Sequence, residues 1–132
     1  MDDEEKLRIS ALMLYWAEGT KKGSNVDFTN ADFNMAKLWV KFLREICKVE
    51  ERRIKLQLHL HYDMNEEKLK EWWAKKLDIP IQNFTKTYIK KIKKKGTYSR
   101  KSEVGTIKIR YSSKSLLFSI NEQIIKLRQE FL

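Results

Sequence analysis

The chain has 132 residues, of which 42% are hydrophobic and 35% are charged, a mixture typical of one globular domain rather than of a disordered chain. No apolar run approaches the roughly 20 residues that a membrane-spanning helix needs, and the acidic start, Met1–Glu5, lacks the positive charge of a secretory signal. A single cysteine, Cys47, excludes an internal disulfide framework. We therefore expect one domain over residues 1–132, in the cytoplasm and without a membrane partner.

The net charge of +10 is concentrated in one part of the chain. Between Lys86 and Lys114 there are eleven basic residues and one acid, a local charge of +10, so the remaining residues are neutral in sum. A localised basic segment is typical of a protein that binds a polyanion, most often nucleic acid. A solvated surface of a lysine-rich protein is the plainer interpretation of the same charge.

The first helix is predicted over residues 6–17, and it is apolar on nearly every side. Such a helix must be covered all round, so one side is expected to face the core and another a partner. Gly19 is expected to end it in the left-handed conformation. Residues 21–25 then look like a turn between two short strands, the second marked by the alternation of Val26 and Phe28.

A second helix follows, capped by Asn30 or Asp32. Its apolar residues recur at helical spacing and are expected to face the core. They are Met35, Leu38, Trp39, Phe42, Leu43 and Ile46.

Residues 53–62 give the clearest strand, because two kinds of side chain alternate along it. The inward set is apolar: Ile54, Leu56, Leu58, Leu60 and Tyr62. The outward set contains hydrogen-bonding or basic groups and no acid: Arg53, Lys55, Gln57, His59 and His61. This second face suits phosphates and base edges.

The second half of the chain continues with a helix over residues 65–77, an interruption at Pro80 and an extended segment within 84–91. The lysine-rich stretch 93–101 is predicted to be a loop or hairpin tip. Residues 106–112 alternate again, with one apolar face and one polar face.

Ser113 is expected to cap a last helix, whose inward residues are Leu116, Leu117, Ile120, Ile124 and Leu127. Strands and helices interleave without a clean βαβ repeat. We therefore predict an α+β fold with one mixed, mainly antiparallel sheet and helices on one face.

The segment Ala11–Gly19 resembles the LAGLIDADG helix motif of homing endonucleases. With the acid–glycine pair aligned, Leu14, Ala17 and Gly19 match the motif and Glu18 stands at its acidic position. Residues 26–30 before a helix and residues 107–117 resemble later parts of the same domain, so the resemblance extends over nearly the whole chain in element order.

Three features depart from the family pattern. Met13 stands where the motif has its first small residue, which widens or shifts the helix crossing. The helix at 69–77 is additional to the minimal αββαββα unit. The acid at position 18 is Glu instead of the commoner Asp, which a metal site tolerates.

The resemblance implies a Mg²⁺-dependent double-strand DNA endonuclease that acts as a homodimer, since the chain has one motif. It implies a dimer interface along the first helix, at Ser10, Met13, Leu14 and Ala17. It also implies a metal-binding, catalytic carboxylate at Glu18 in each chain, with another hard divalent cation as a substitute for Mg²⁺. The family uses a basic residue near the acids, for which Lys108 is our choice over Arg110 and Lys55.

Under this hypothesis the polar sheet face straddles duplex DNA. Arginine and lysine pair with guanine edges and glutamine with adenine, whereas the lysines near position 90 are expected to contact phosphates. The predicted DNA-binding residues are Arg53, Lys55, Gln57, His59, His61, Lys86, Lys90, Lys91, Lys93, Lys94, Lys95, Arg100, Lys101, Thr106 and Arg110.

Other chemistry has weaker support in the sequence. His59 and His61 have a spacing that zinc sites use, but no third ligand follows. Cys47 is expected to be a core thiol rather than a nucleophile, and Trp72 and Trp73 to be core side chains rather than base-stacking ones. No phosphate-binding or dinucleotide glycine pattern is present, so we do not expect an NTPase or a dehydrogenase. We also expect no small-molecule substrate.

Two other functions stay open at this stage. The same fold could serve as a DNA- or RNA-binding regulator that does not cut. A dimeric basic protein with an acidic protein partner is the third possibility, and salt-sensitive binding to duplex DNA would argue against it.

Overall fold

A computed structural model describes residues 1–90 and 103–132, and in these ranges the chain forms four α-helices and one four-stranded mixed sheet. This confirms the predicted α+β class. The predicted loop at 93–101 lies outside the described residues. The elements are α1 (Asp3–Glu18), β1 (Asn25–Asn30), α2 (Phe33–Glu45), β2 (Ile54–His61), α3 (Glu66–Leu77), β3 (Tyr88–Lys90), β4 (Thr106–Ser112) and α4 (Lys114–Phe131).

The sheet has the strand order β1-β4-β2-β3. Strand β4 runs antiparallel to both of its neighbours, β1 and β2, whereas β3 runs parallel to β2. The sheet is therefore mixed and mainly antiparallel, as predicted. The first of the two short strands expected before α2 is reduced to one isolated bridge, Gly19 to Phe28.

The core lies on one side of this sheet, where the apolar side chains of alternate strand residues meet the helices. Trp39 of α2 is fully buried at its centre. Its ring lies 4.9 Å from that of Tyr15, 5.4 Å from that of Phe28 and 5.1 Å from that of Phe42. The strand residues of the core are Val26, Phe28, Ile54, Leu56, Leu58, Leu60, Ile107, Ile109 and Tyr111.

The helices begin where the sequence places hydrogen-bonding caps. The Asp32 carboxylate accepts from the backbone N–H groups of Asn34 and Met35, and the Ser113 hydroxyl accepts from that of Leu116. Each such bond satisfies a backbone donor that the first helical turn leaves unpaired. The choice between Asn30 and Asp32 is thereby settled in favour of Asp32.

Two predictions of buried side chains were wrong. On α2, Met35 is 37% exposed, while the small residue Ala36 and its neighbour in the next turn, Val40, are buried. The helix packs against α1, α3 and β1, and the rest of its predicted apolar stripe is buried or partly buried. Tyr62 is exposed because β2 ends at His61, so the strand alternation no longer directs the next side chain inward.

Gly19 ends α1, but not in the predicted left-handed conformation. Its φ is −91°, which any residue can adopt. A Cβ at this position would lie 2.3 Å from the ring of Tyr15, so glycine is required by close approach rather than by backbone conformation. The Tyr15 hydroxyl donates to the carbonyl of Thr20 at 2.5 Å and so fixes the chain as it leaves the helix.

No helix in the described ranges is long and apolar enough to cross a membrane.

Candidate nucleic-acid interface

The side of the sheet opposite the core presents polar side chains, and we call this surface the polar face. The strand register brings its members together from all four strands. Its members are Asn25, Asp27 and Thr29 of β1, Lys55, Gln57, His59 and His61 of β2, Tyr88 and Lys90 of β3, and Thr106, Lys108, Arg110 and Ser112 of β4.

The central strand β4 gives the polar face its two most central cations. Arg110 lies in register between Asp27 and Lys55, and Lys108 lies between Thr29 and Gln57. Most of the DNA-binding residues predicted within the described strands therefore share one surface. Those at 91, 93, 94, 95, 100 and 101 lie outside the described residues.

An acid that the sequence-based prediction omitted, Asp27, lies on this surface, on the edge strand β1. The Asp27 carboxylate accepts a hydrogen bond from Nε of Arg110 and another from its Nη2, each 2.8 Å long. The Lys108 ammonium lies 3.8 Å from the same carboxylate. The Asp27 side chain is only 8% exposed, so these cations balance a nearly buried charge. Alternation with Val26 and Phe28 was the signal that could have placed Asp27 on this face.

The ion pair with Asp27 fixes the orientation of the Arg110 guanidinium. Hydrogen bonding to the carboxylate raises the pKa of Arg110, against the opposing effect of burial. The bonds use Nε and one hydrogen of Nη2, and Nη1 has no hydrogen bond to any residue of the described ranges. The free edge of the guanidinium therefore has a set direction, as a planar donor needs for recognising a base edge or a phosphate.

A concavity of about 90 Å³ opens on the polar face beside these residues. It has room for a phosphate-sized group but not for a nucleotide, since ligand pockets usually exceed about 300 Å³. Three positively charged side chains line this concavity, so it favours the binding of an anion. The lining residues are Lys55, Leu56, Gln57, Thr85, Lys108 and Arg110.

Gln57 is less available to a base than the sequence suggested. Its side-chain nitrogen donates to the carbonyl of Lys86 at 2.9 Å, and its oxygen lies 3.2 Å from Nε2 of His59. Both ends of the amide are thus already engaged. Pairing with adenine would require the exchange of these bonds.

His59 is a neutral group rather than a further cation of the polar face. Its pKa is lowered from 6.5, first by burial and then by the positive charges of Lys108 and Lys90. His61, at the end of the same strand, is 9% exposed, so it offers little surface to a ligand. The described residues contain no group of three or more His, Cys, Asp or Glu that could hold a metal ion.

Arg53 precedes β2 and is held in place at the end of the sheet. Its guanidinium lies 4.6 Å from the ring centre of Tyr111, 3.7 Å from the Glu50 carboxylate and within hydrogen-bond distance of the Ser112 carbonyl. These contacts indicate that some of the N–H groups of Arg53 have a structural role. Lys55, by contrast, is exposed with no hydrogen bond or ion pair from its side chain within residues 1–90 and 103–132.

Glu18 is the last residue of α1 and lies at the β1 edge of the sheet. The next residue, Gly19, bridges to Phe28, and the N–H of Thr20 donates to the carbonyl of Asp27 at 3.1 Å. The Glu18 side chain is exposed and has no hydrogen bond or ion pair with the part of the chain that the structure describes.

An acid at this position is unfavourable for the helix. The C-terminal end of a helix has a partial negative charge, so a carboxylate there costs about 0.3–1 kcal/mol. The ammonium of Lys21 donates a hydrogen bond to the carbonyl of Gly19 at 2.7 Å, and its positive charge offsets part of the negative charge at this helix end. Residues that break such a local rule occur most often at functional sites.

The predicted dimer stripe lies on the outer side of α1. Ser10 and Ala17 are exposed and Met13 and Leu14 are half-buried, whereas the opposite side of the helix is fully buried. The described residues thus cover this helix fully on one side only.

The other candidates from the sequence fit a structural role. Burial raises the pKa of the Cys47 thiol to about 12, which keeps it protonated and unreactive at neutral pH. Trp73 is fully buried and donates to the carbonyl of Val104 at 2.8 Å. Trp72 packs edge-on against Trp73, with ring centres 5.1 Å apart.

No protein-family model matches the chain, and neither a curated protein nor a solved structure is significantly similar to it. The function is therefore inferred from the sequence motif and from the geometry of the polar face.

Proposed function

We propose that this protein binds double-stranded DNA through its polar face and cleaves both strands, as a Mg²⁺-dependent homodimer of the homing-endonuclease type. The observation behind this proposal is an exposed carboxylate without a partner in the described residues, Glu18, at the edge of a cationic sheet face. A metal-dependent phosphodiesterase uses both features, since the cations hold the phosphate backbone and the carboxylate can hold a metal ion next to it.

A Mg²⁺ site built from these carboxylates would have to be shared between two chains. Mg²⁺ is usually bound by one or two carboxylates together with phosphates and water. One chain offers Glu18, while the acid of the polar face, Asp27, is paired with Arg110. Two chains would supply two Glu18 carboxylates, and the DNA would supply phosphate oxygens. A bound ion would activate water and stabilise the leaving oxygen.

The remaining residues have distinct roles under this proposal. Lys55 and Lys86 are exposed and contact phosphates, which positions the DNA without reading its sequence. Arg110 presents its free edge to a guanine or a phosphate. Lys108 assists cleavage, and the Asp27 carboxylate, 3.8 Å from its ammonium, holds that group close to β1.

The proposed dimer would pair along α1, the helix that carries Glu18. The outer stripe of this helix includes Ala17, directly before the acid, and ends where the sheet edge begins. If two chains pair along this stripe about a two-fold axis, each brings its Glu18 to the axis and the two polar faces become continuous.

A cleavage screen tests the proposal. The full chain is incubated with a supercoiled library of random DNA inserts and Mg²⁺, and the new ends are sequenced. We expect double-strand cuts at a preferred site, abolished in Glu18→Gln, which nevertheless binds that site with nearly unchanged affinity. The matched control is Glu122→Gln, which removes an exposed acid from α4 and should cut normally. A fully active Glu18→Gln would refute the role of this carboxylate.

The second candidate is a nucleic-acid-binding regulator with the same fold and no nuclease activity. The observation that favours it is the lack of a three-ligand metal group in the described part of a single chain. If no DNA is cut while Lys55→Ala and Lys86→Ala still weaken binding, this second function stands. Removing one phosphate-binding lysine should reduce the steepness of the log–log salt dependence by about 0.9.

A further inference from the structure

One aromatic side chain of the polar face is exposed at the edge of the sheet. Tyr88, on the short edge strand β3, pairs in register with His59 of β2. Its ring centre lies 5.4 Å from that of His59, with the planes tilted by 47°, and the residue is 54% exposed. One part of the ring thus rests on the imidazole, while another part is open to solvent.

The surroundings of Tyr88 are positively charged. Lys86 precedes it and is exposed, and its carbonyl is fixed by the side chain of Gln57. Lys90 follows it and is close enough to His59 to lower the pKa of the imidazole. An exposed ring between two lysines combines a stacking surface with phosphate-binding groups, the arrangement that single-stranded nucleic acids require.

Paired bases in a duplex are already stacked on both sides and do not offer a free face. An aromatic ring at the edge of a DNA-binding surface is therefore useful only for a base that is extruded, bulged or part of an adjoining single strand. The imidazole against Tyr88 is neutral, so it supports the ring without adding a charge that would need hydration.

We propose that Tyr88 stacks on an unpaired DNA base next to the bound duplex, and that Lys86 and Lys90 bind the phosphates of that nucleotide. This inference rests on the proposed binding of DNA by the polar face. It adds a preference for duplexes with an unpaired segment over fully paired ones.

The test uses three DNA probes of the same duplex sequence. The first is fully paired, the second has a three-nucleotide thymine bulge, and the third has the same bulge with abasic sites in place of the thymines. Affinities are measured by fluorescence anisotropy. The wild-type protein should bind the thymine bulge about tenfold more tightly than the abasic bulge, since base–aromatic stacking has about this effect.

Variants separate stacking from charge. Tyr88→Phe should keep the preference, because a phenyl ring stacks equally well, whereas Tyr88→Ala should abolish it, so that the thymine bulge and the abasic bulge bind with equal affinity. Tyr62→Ala, which removes another exposed tyrosine, should behave as wild type. Thermal melts establish that each variant is folded.

The outcomes distinguish this inference from the proposed function. If the protein binds the paired duplex but does not distinguish thymines from abasic sites, the stacking proposal alone is refuted. The same holds if Tyr88→Ala keeps the preference. If the folded protein binds none of the three probes, both proposals fail.

Discussion

Asp27 and Arg110 form a two-point ion pair across the β1–β4 pairing, with both hydrogen bonds at 2.8 Å. The acid is nearly buried, while the arginine side chain is 41% exposed at the surface proposed to bind DNA. Asp27 therefore has two opposing effects on binding. It fixes the direction of the guanidinium, and it cancels part of the positive charge of the polar face.

Replacing Asp27 with Asn should separate these effects. We expect Asp27→Asn to lose about 1–3 kcal/mol of folding stability, because the charge-assisted hydrogen bonds from Arg110 are weakened or broken. Binding to random duplex DNA should become tighter, because one negative charge is removed from the surface. Discrimination between a preferred site and random DNA should fall, because Arg110 is no longer held in one orientation. Urea unfolding and competition binding measure these quantities.

Glu66→Gln is the matched control for charge. It also removes one negative charge, from an exposed helical pair with Lys70. It should leave both stability and the discrimination between sites nearly unchanged. Equal behaviour of the two variants would show that Asp27 acts through net charge alone.

The neutral state of His59 predicts a pH dependence of stability. Burial, together with Lys108 and Lys90, lowers its pKa below the ordinary 6.5 in the folded protein. At pH values between this lowered pKa and 6.5, the unfolded chain binds more protons than the folded chain. The contribution of His59 to folding stability is therefore complete above pH 6.5 and is lost as the pH falls toward the lowered pKa.

Chemical unfolding at several pH values checks this sign. The wild type should become less stable on acidification below about pH 6.5. The His59→Gln variant should lack the part of this pH dependence of stability that comes from His59. Identical slopes in the two proteins would mean that His59 has its ordinary pKa in the folded state.

Gly19→Ala tests the close approach at the end of α1. The new Cβ would lie 2.3 Å from the Tyr15 ring, which is fully buried and stacked on Trp39. Such overpacking should destabilise the protein by about 1–3 kcal/mol. In a Tyr15→Leu background, without the ring, the same change should cost much less in a double-mutant cycle. Additive effects would contradict the proposed clash.

Local patterns in the sequence predicted most of the fold. Strand β4 was found with its bounds, because apolar and polar residues alternate without interruption from Thr106 to Ser112. The caps Asp32 and Ser113 were found because their function is local. On α2, Trp39, Phe42 and Leu43 are buried as predicted, and only Met35 was misplaced. The small residue Ala36 faces the core but was missed because only large apolar residues were considered.

The candidate site was less predictable, since it depends on residues that are distant in sequence. Asp27 and Arg110 are separated by 83 residues, and only the strand register brings them together. The pKa of His59 is likewise lowered by its surroundings in the fold, first by burial and then by Lys108 of a neighbouring strand. The basic face could be predicted from alternation, but its internal ion pair could not.

Under the proposed function, two chains pair along α1 and bring their Glu18 residues together. The most direct measurement is cross-linking of Glu18→Cys in a Cys47→Ser background, with a short bifunctional maleimide in the presence of duplex DNA. Lys126→Cys in the same background, an exposed position on α4, is the control. We predict a covalent dimer for the position-18 thiol and none for the position-126 thiol. A protein that stays monomeric on DNA, or that cross-links only through position 126, would contradict this pairing.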